Sequence, residues 1–171
     1  MTSQLNVNSI AHSNETTAMT IDTSGRVLTP ANPKFSLYLA SSGTASDYTS
    51  GGDVPFDTIE FNIGNFVAIS SSVGTFTATI TGYYQFNLMV SFGNIDAASY
   101  YSTYLVIDGE SPANDTYRLI ESPGGGVYQT GSTGTLIYLT ANQTVNPKIA
   151  IQGDSSVQVR LGTRFNGFLV G

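Results

Sequence analysis

The chain has 171 residues, only 11% of them charged, and 12 acidic side chains against 6 Lys and Arg give a net charge of −6. No basic run occurs, which argues against duplex binding through phosphate contacts, and no apolar run reaches the roughly 20 residues of a membrane-spanning helix. Cysteine is absent, which excludes disulfides and thiolate metal sites and leaves the redox compartment open.

Residues 1–32 carry sparse apolar points, Leu5, Val7, Ile10, Met19 and Ile21, among Ser, Thr and Asn. That is too little for a core, so residues 1–33 read as an extended N-terminal arm, with short strands near 5–10 and 18–22. Asp22-Thr23-Ser24-Gly25-Arg26 reads as a turn, and Pro30 and Pro33 stiffen the exit. The first residues show neither a basic n-region nor an apolar h-region, so no secretory signal is expected.

From residue 34 onward one domain is predicted, and strand signals follow one another. Phe35, Leu37 and Leu39 alternate with Ser36 and Tyr38 in a first strand, and residues 41–53 form a Gly/Ser/Thr-rich loop. Strands over 54–63 and 66–69 lead to the stretch 74–92, GTFTATITGYYQFNLMVSF. There Phe76, Ala78 and Ile80 alternate with threonines, Gly82 supplies a turn or bulge, and Tyr83 opens a long aromatic strand. Residues 100–107 form another strand, closed by the hairpin pair Asp108-Gly109, with 116–120 as its partner. A loop at 122–126, strands at 136–139 and 145–151, then 157–161 and 164–170 complete the series. Roughly ten short strands and no helical period predict an all-β chain folded as a jelly-roll β-sandwich.

Aromatic weight falls on both sides of that long strand, since Tyr84 and Phe86 share one face while Tyr83 and Gln85 share the other. The same holds for Tyr100, Tyr101 and Tyr104. A domain of this size would leave an apolar patch uncovered, the usual mark of a partner site, and closed cyclic symmetry covers such a patch in each copy.

Catalytic patterns are thin. His12 is the single histidine and sits in the arm, Gly124-Gly125-Gly126 lacks the Lys-Ser/Thr of a phosphate loop, and the spacing of Asp57 and Glu60 sets them on opposite strand faces. No enzyme and no cofactor are expected.

The order Gly74-x-Phe76, Gly82-Tyr83-Tyr84-x-Phe86, then Gly131 to Leu139 and Phe165-Asn166-Gly167-Phe168-Leu169, resembles the C1q globular-head family, trimeric jelly rolls related to tumour necrosis factor. The resemblance implies a homotrimer with inner-sheet aromatics meeting about the threefold axis, for which the candidates are Tyr83, Tyr84, Phe86, Tyr101 and Phe168. Some family members bind calcium through loop oxygens; the candidates here are Asp96, Asp108, Glu110 and Asp115, without the spacing of an EF-hand. The arm, from Asn8-Ser9-Ile10-Ala11-His12-Ser13-Asn14 through Met19-Thr20-Ile21-Asp22 to Gly25-Arg26-Val27, resembles a leader of tailed-phage virion proteins, with Glu15 in place of the usual Gly. That resemblance implies a non-enzymatic virion structural protein on the particle surface, assembled in the host cytoplasm, with Leu5, Val7 and Ile10 anchoring the arm to other virion proteins. Decoration or cementing of the capsid is the expected role; the alternative is a tail-fibre or spike tip that binds a host surface receptor or glycan.

Overall fold

Two 14-residue strands, β10 (Gly82–Ile95), whose even-numbered side chains from Tyr84 to Phe92 are all large and apolar, and β13 (Gly126–Leu139), set the architecture. In the computed structural model, residues 7–15, 17–29, 32–41, 45–46, 51–95, 100–110, 118–121 and 126–170 are described. Before β10 come β1 (Ser9–Ala11), β2 (Thr17–Ile21), β3 (Val27–Leu28), β4 (Lys34–Tyr38), β5 (Ala45–Ser46), β6 (Gly52–Asp53), β7 (Thr58–Ile63), β8 (Val67–Ser70) and β9 (Val73–Thr77). Beyond it lie β11 (Tyr100–Ile107), β12 (Arg118–Glu121), β13, β14 (Thr144–Gln152), β15 (Val157–Val159) and β16 (Arg164–Leu169). No helix occurs among the described residues, as predicted, but sixteen strands replace the roughly ten expected. Several of the additional strands are two or three residues long, too short to carry a readable period.

Two sheets form the sandwich. In one, β10 pairs along its length with β13 and on its other side with β16 and β15; β4 and then β7 continue beyond β16, and β5 beyond β15. The other runs β12-β11-β14-β9-β8, with β6 also on β14. Between them lies an aromatic core in which Phe35, Phe76, Phe86 and Phe165 meet with ring centroids 5.0 to 5.7 Å apart along the four sides of a ring. Such pairs add about 0.5–1.5 kcal/mol each beyond the area they bury.

The Gly82 turn is corrected. β9 and β10 belong to opposite sheets, so the chain crosses between layers here and makes no hairpin. Gly82 is a regular strand residue without positive φ. The alternation that buries Phe76 and Ala78 stops there, and Ile80 is exposed. Ala78 fastens the corner: its N–H donates to the Gln143 carbonyl at 2.9 Å, and its carbonyl accepts from the Asn142 N–H at 2.6 Å. The Asp108-Gly109 hairpin turn is present, both residues at positive φ (51° and 77°), with the Glu110 N–H donating to the Ile107 carbonyl. β12 pairs with β11 as anticipated.

The short strands expected in the arm near 5–10 and 18–22 are present as β1 and β2, and β3 joins them. β1, β2 and β3 form a small antiparallel sheet of their own. Its second turn is the predicted one: Gly25 adopts φ 78°, and the Asp22 carboxylate accepts from the Ser24 and Arg26 N–H groups and from Arg26 Nε. Side-chain capping of that turn supplies the local order that scattered apolar residues did not announce. The root of the arm is tied to the C-terminal strand, with Asn32 Nδ2 donating to the Leu169 carbonyl and the Leu169 N–H to the Pro33 carbonyl, both at 3.0 Å.

Candidate interaction face

Period two decides which side chains leave the core. On β10, Tyr84, Phe86, Leu88, Val90 and Phe92 are fully buried, so Tyr83, Gln85, Asn87 and Met89 point out of the sandwich. Directly opposed residues in an antiparallel pair share a face, and the register therefore adds Tyr138 and Leu136 from β13 and Phe168, Asn166 and Arg164 from β16. Beyond β4, the same face continues to Ile63 and Phe61 on β7.

The result is an apolar surface uncovered in the single chain. Tyr83 is 51% exposed, Leu136 51%, Tyr138 54%, Phe168 45% and Phe61 42%. Tyr83 and Tyr138 meet edge to face, ring centroids 5.1 Å apart, at the end where the arm is rooted. The Val170 N–H donates to the Tyr83 carbonyl at 2.8 Å, joining that end to the C-terminal residues.

Polar groups on the face are mutually satisfied. Asn87 Nδ2 donates to Asn166 Oδ1 at 3.2 Å. Glu60 accepts from Ser36 Oγ at 2.9 Å and from Arg164 Nη1 at 2.8 Å, and the Arg164 guanidinium lies 5.1 Å from the Tyr38 ring centroid. The Ser36 hydroxyl, seconded by Arg164, holds the Glu60 carboxyl below its ordinary pKa. A shallow recess of about 360 Å³ beside this trio is walled by Phe61 and Phe168. Groups already paired in this way keep their partners when a second surface covers them, while the Glu60–Arg164 ion pair would still lose hydration if it were covered.

Three of the five interface candidates are corrected. Tyr84 and Phe86 lie on the core side of β10, and Tyr84 Oη donates to the Ile80 carbonyl at 2.6 Å while burial pushes its phenol pKa up. Tyr101 is on the core side of β11, its ring centroid 5.0 Å from that of Phe92. None of the three can present its ring to another molecule while the sandwich is closed. Tyr83 and Phe168 do lie on the open face, together with Leu136, Tyr138 and Phe61, which sequence reasoning missed. A signal was present: Leu136-Ile137-Tyr138-Leu139 puts large apolar residues on both sides of a strand, the same criterion that singled out Tyr83.

Among the arm candidates, Ile10 is exposed on β1, Val7 is half-buried, and Leu5 lies outside the described residues. The polar residues considered for chemistry are engaged in turns. Asp108 accepts from the Thr144 N–H at 2.7 Å and Gln143 Nε2 at 2.9 Å, and Asp57 from the Ala40 N–H at 2.7 Å and Ser41 Oγ at 2.7 Å. Asp96, Asp115, Gly124 and Gly125 lie outside the described residues. Among the described residues no three His, Cys, Asp or Glu side chains gather as a metal site. His12 is exposed, with Nδ1 3.1 Å from Asn14 Oδ1.

A family model for the C1q domain matches residues 35–170. The chain belongs to the C1q domain family. Among solved structures, murine APRIL at pH 5.0 is similar over 81% of this chain and 99% of its own, with a TM-score of 0.60 and 14% identity. The globular domain of zebrafish complement 1qA covers 82% of this chain and 98% of its own, with a TM-score of 0.57 and 18% identity. At these identities the likeness is one of fold, and the C1q match begins beyond the arm. No curated protein matches the chain.

Proposed function

We propose that this C1q-domain protein is a non-enzymatic structural protein of a phage particle, a homotrimer that decorates or cements the capsid surface. The observation that carries the trimer is the open face of the β10 sheet, where Tyr83, Leu136, Tyr138 and Phe168 form one half-exposed apolar cluster over three neighbouring strands. Patches of this kind mark association surfaces, and a closed threefold ring covers each copy without building open filaments. Placement on a virion rests on the arm's resemblance to phage leaders; of the expected contacts Leu5, Val7 and Ile10 with neighbouring virion proteins, Leu5 and Val7 are retained here, because Ile10 stands on the apolar face of the arm sheet.

A second reading, the tip of a tail fibre or spike contacting a host glycan or surface protein, is favoured by one feature. The arm is a folded sheet at the root of the head, the form of a short stalk more than of a loose tether. Sedimentation of the purified chain tests the trimer: three times 18.1 kDa is expected, and a well-folded monomer at micromolar concentration would end the proposal. A particle reconstruction then separates the placements, with hundreds of copies over the shell for decoration and a few threefold sets at the tail for a tip. Absence from both positions would refute the virion role.

A further inference from the structure

The arm sheet has a sidedness that its register makes explicit. Ile10 pairs with Met19, and Ile21 with Val27, while Met19 and Ile21 are two apart on β2. All four therefore share one face. The opposite face carries Ser9, Thr20 and Leu28, from the pairs Ser9 with Thr20 and Thr20 with Leu28. Strands of 3, 5 and 2 residues have no second layer of their own. The head does not cover that face either: Ile10, Ile21 and Val27 remain 47%, 40% and 61% exposed in the whole chain.

Resting on the homotrimer reading, we propose that the arm sheets of three copies close face to face into a short three-sided β-prism, burying Ile10, Met19, Ile21 and Val27 about the threefold axis. The occupant of each apolar face is then the same face of two other copies. The root of the arm argues for this choice. Asn32 and Pro33 are bonded to Leu169, next to Val170 and Tyr83, so the arm starts at the apolar end of the open β10 face. Whatever brings three such faces together brings three arm roots together. Only five residues, Thr29 to Pro33, separate β3 from β4, which limits the arm sheet to at most about 20 Å from its root. Three apolar faces confined so closely meet at an effective concentration on the order of millimolar. Of the arm's three charged residues, Asp22 and Arg26 are held to each other at 2.7 Å in the second turn, and Glu15 lies in the connection between β1 and β2. The apolar positions of all three strands carry no charge to oppose self-association.

The cysteine-free sequence allows a direct test in the full-length chain. Single variants Ile21→Cys and Val27→Cys put a thiol on the apolar face, and Ser9→Cys puts one on the opposite face. Each is sedimented to establish its oligomeric state, then oxidised mildly, and the disulfide-linked dimer is followed on a denaturing gel. Trimeric Ile21→Cys or Val27→Cys protein is expected to link at least about tenfold faster than Ser9→Cys, at a rate independent of protein concentration because the thiols share one assembly. Trimers in which both faces link equally, or neither links, overturn the prism and leave the head trimer standing. Protein that sediments as a monomer overturns both. If one apolar-face variant fails to fold, the other decides.

Discussion

Replacing Tyr138 with Ser tests the interaction face without touching the core, because Tyr138 is 54% exposed while its neighbours Ile137 and Leu139 are buried. A tyrosine offers about 200 Å² of surface, so roughly 100 Å² of this one is available to a partner. At about 25 cal/mol per Å² that is near 2.5 kcal/mol per copy, or roughly 7 kcal/mol for three. Tenfold per 1.4 kcal/mol makes this about 10⁵ in the association constant. The concentration at which half the protein is trimeric varies as the inverse square root of that constant, so it rises by about 300-fold. Ordering of side chains at an interface makes this an upper bound, and a rise of about tenfold or more is expected. Within one chain the substitution loses the Tyr83–Tyr138 ring contact, worth about 1 kcal/mol, so the fold survives. Sedimentation equilibrium over a concentration series measures the midpoint, with circular dichroism as the control for folding. A trimer whose midpoint moves less than about threefold would show that the open face of the β10 sheet is not where the copies meet.

Three further outcomes follow from the same geometry. Tyr84→Phe, one residue along from Tyr83, should leave the association midpoint alone but lower urea stability by about 1 kcal/mol, because the buried hydroxyl that donates to the Ile80 carbonyl is lost; a changed midpoint with unchanged stability would return Tyr84 to the interface. Gly167→Ala should cost about 1–3 kcal/mol in the same assay, since its Cβ would lie 2.8 Å from the Gln85 carbonyl oxygen and 2.8 Å from a Phe86 ring carbon; wild-type stability would mean the strands part more easily than described. On acidification, the carboxyls of Asp22, Asp57, Glu60 and Asp108 all titrate below their ordinary values, held there first by the Arg26 N–H, the Ala40 N–H, the Ser36 hydroxyl and the Thr144 N–H respectively. A depressed folded pKa contributes stability above the unfolded value, near 4, and loses it as pH falls through the folded value. The urea midpoint should therefore hold from pH 7 to about 5 and fall below about 4; a midpoint that rises toward pH 2 would contradict the sign.

Strand positions were readable in the sequence where a strand was long enough to show its period and hard to place where it was not. The strand at 100–107, its Asp108-Gly109 turn and its partner are local, since pattern and turn chemistry all lie between Tyr100 and Glu121. The pairing of β10 with β13 joins Gly82 to Leu139, and nothing in either segment names the other. Sheet membership is equally silent: β9 and β10 follow each other yet belong to opposite layers, so the turn or bulge read at Gly82 is a crossing between sheets that ends just before it. The misplacement of Tyr84, Phe86 and Tyr101 has a different origin. Alternation divides a strand into two sets of residues but does not label either one as the inside. On β10 the composition of the sets carries that label, for Tyr84, Phe86, Leu88, Val90 and Phe92 are uniformly large and apolar. Tyr83, Gln85, Asn87, Met89 and Ser91 are mixed, as a face must be that meets water before it meets a partner.

That division ties folding to association through one register. Tyr84 opposes Ile137, and Tyr83 opposes Tyr138, across the same ladder. A slip of β10 by one residue against its neighbours would carry Tyr83, Gln85 and Asn87 into the core and turn Tyr84, Phe86 and Leu88 out onto the face that Tyr138 and Leu136 keep. The buried ring of phenylalanines enforces the register because Phe86 must meet Phe35, Phe76 and Phe165 to fill the space between the sheets. The core therefore determines which aromatics remain outside, and the outer cluster needs no packing of its own to be held in place. Substitutions at even-numbered positions of β10 between Tyr84 and Phe92 should consequently act on stability. At Tyr83 and Met89 they should act on the midpoint of association, and the two effects should separate along a single strand.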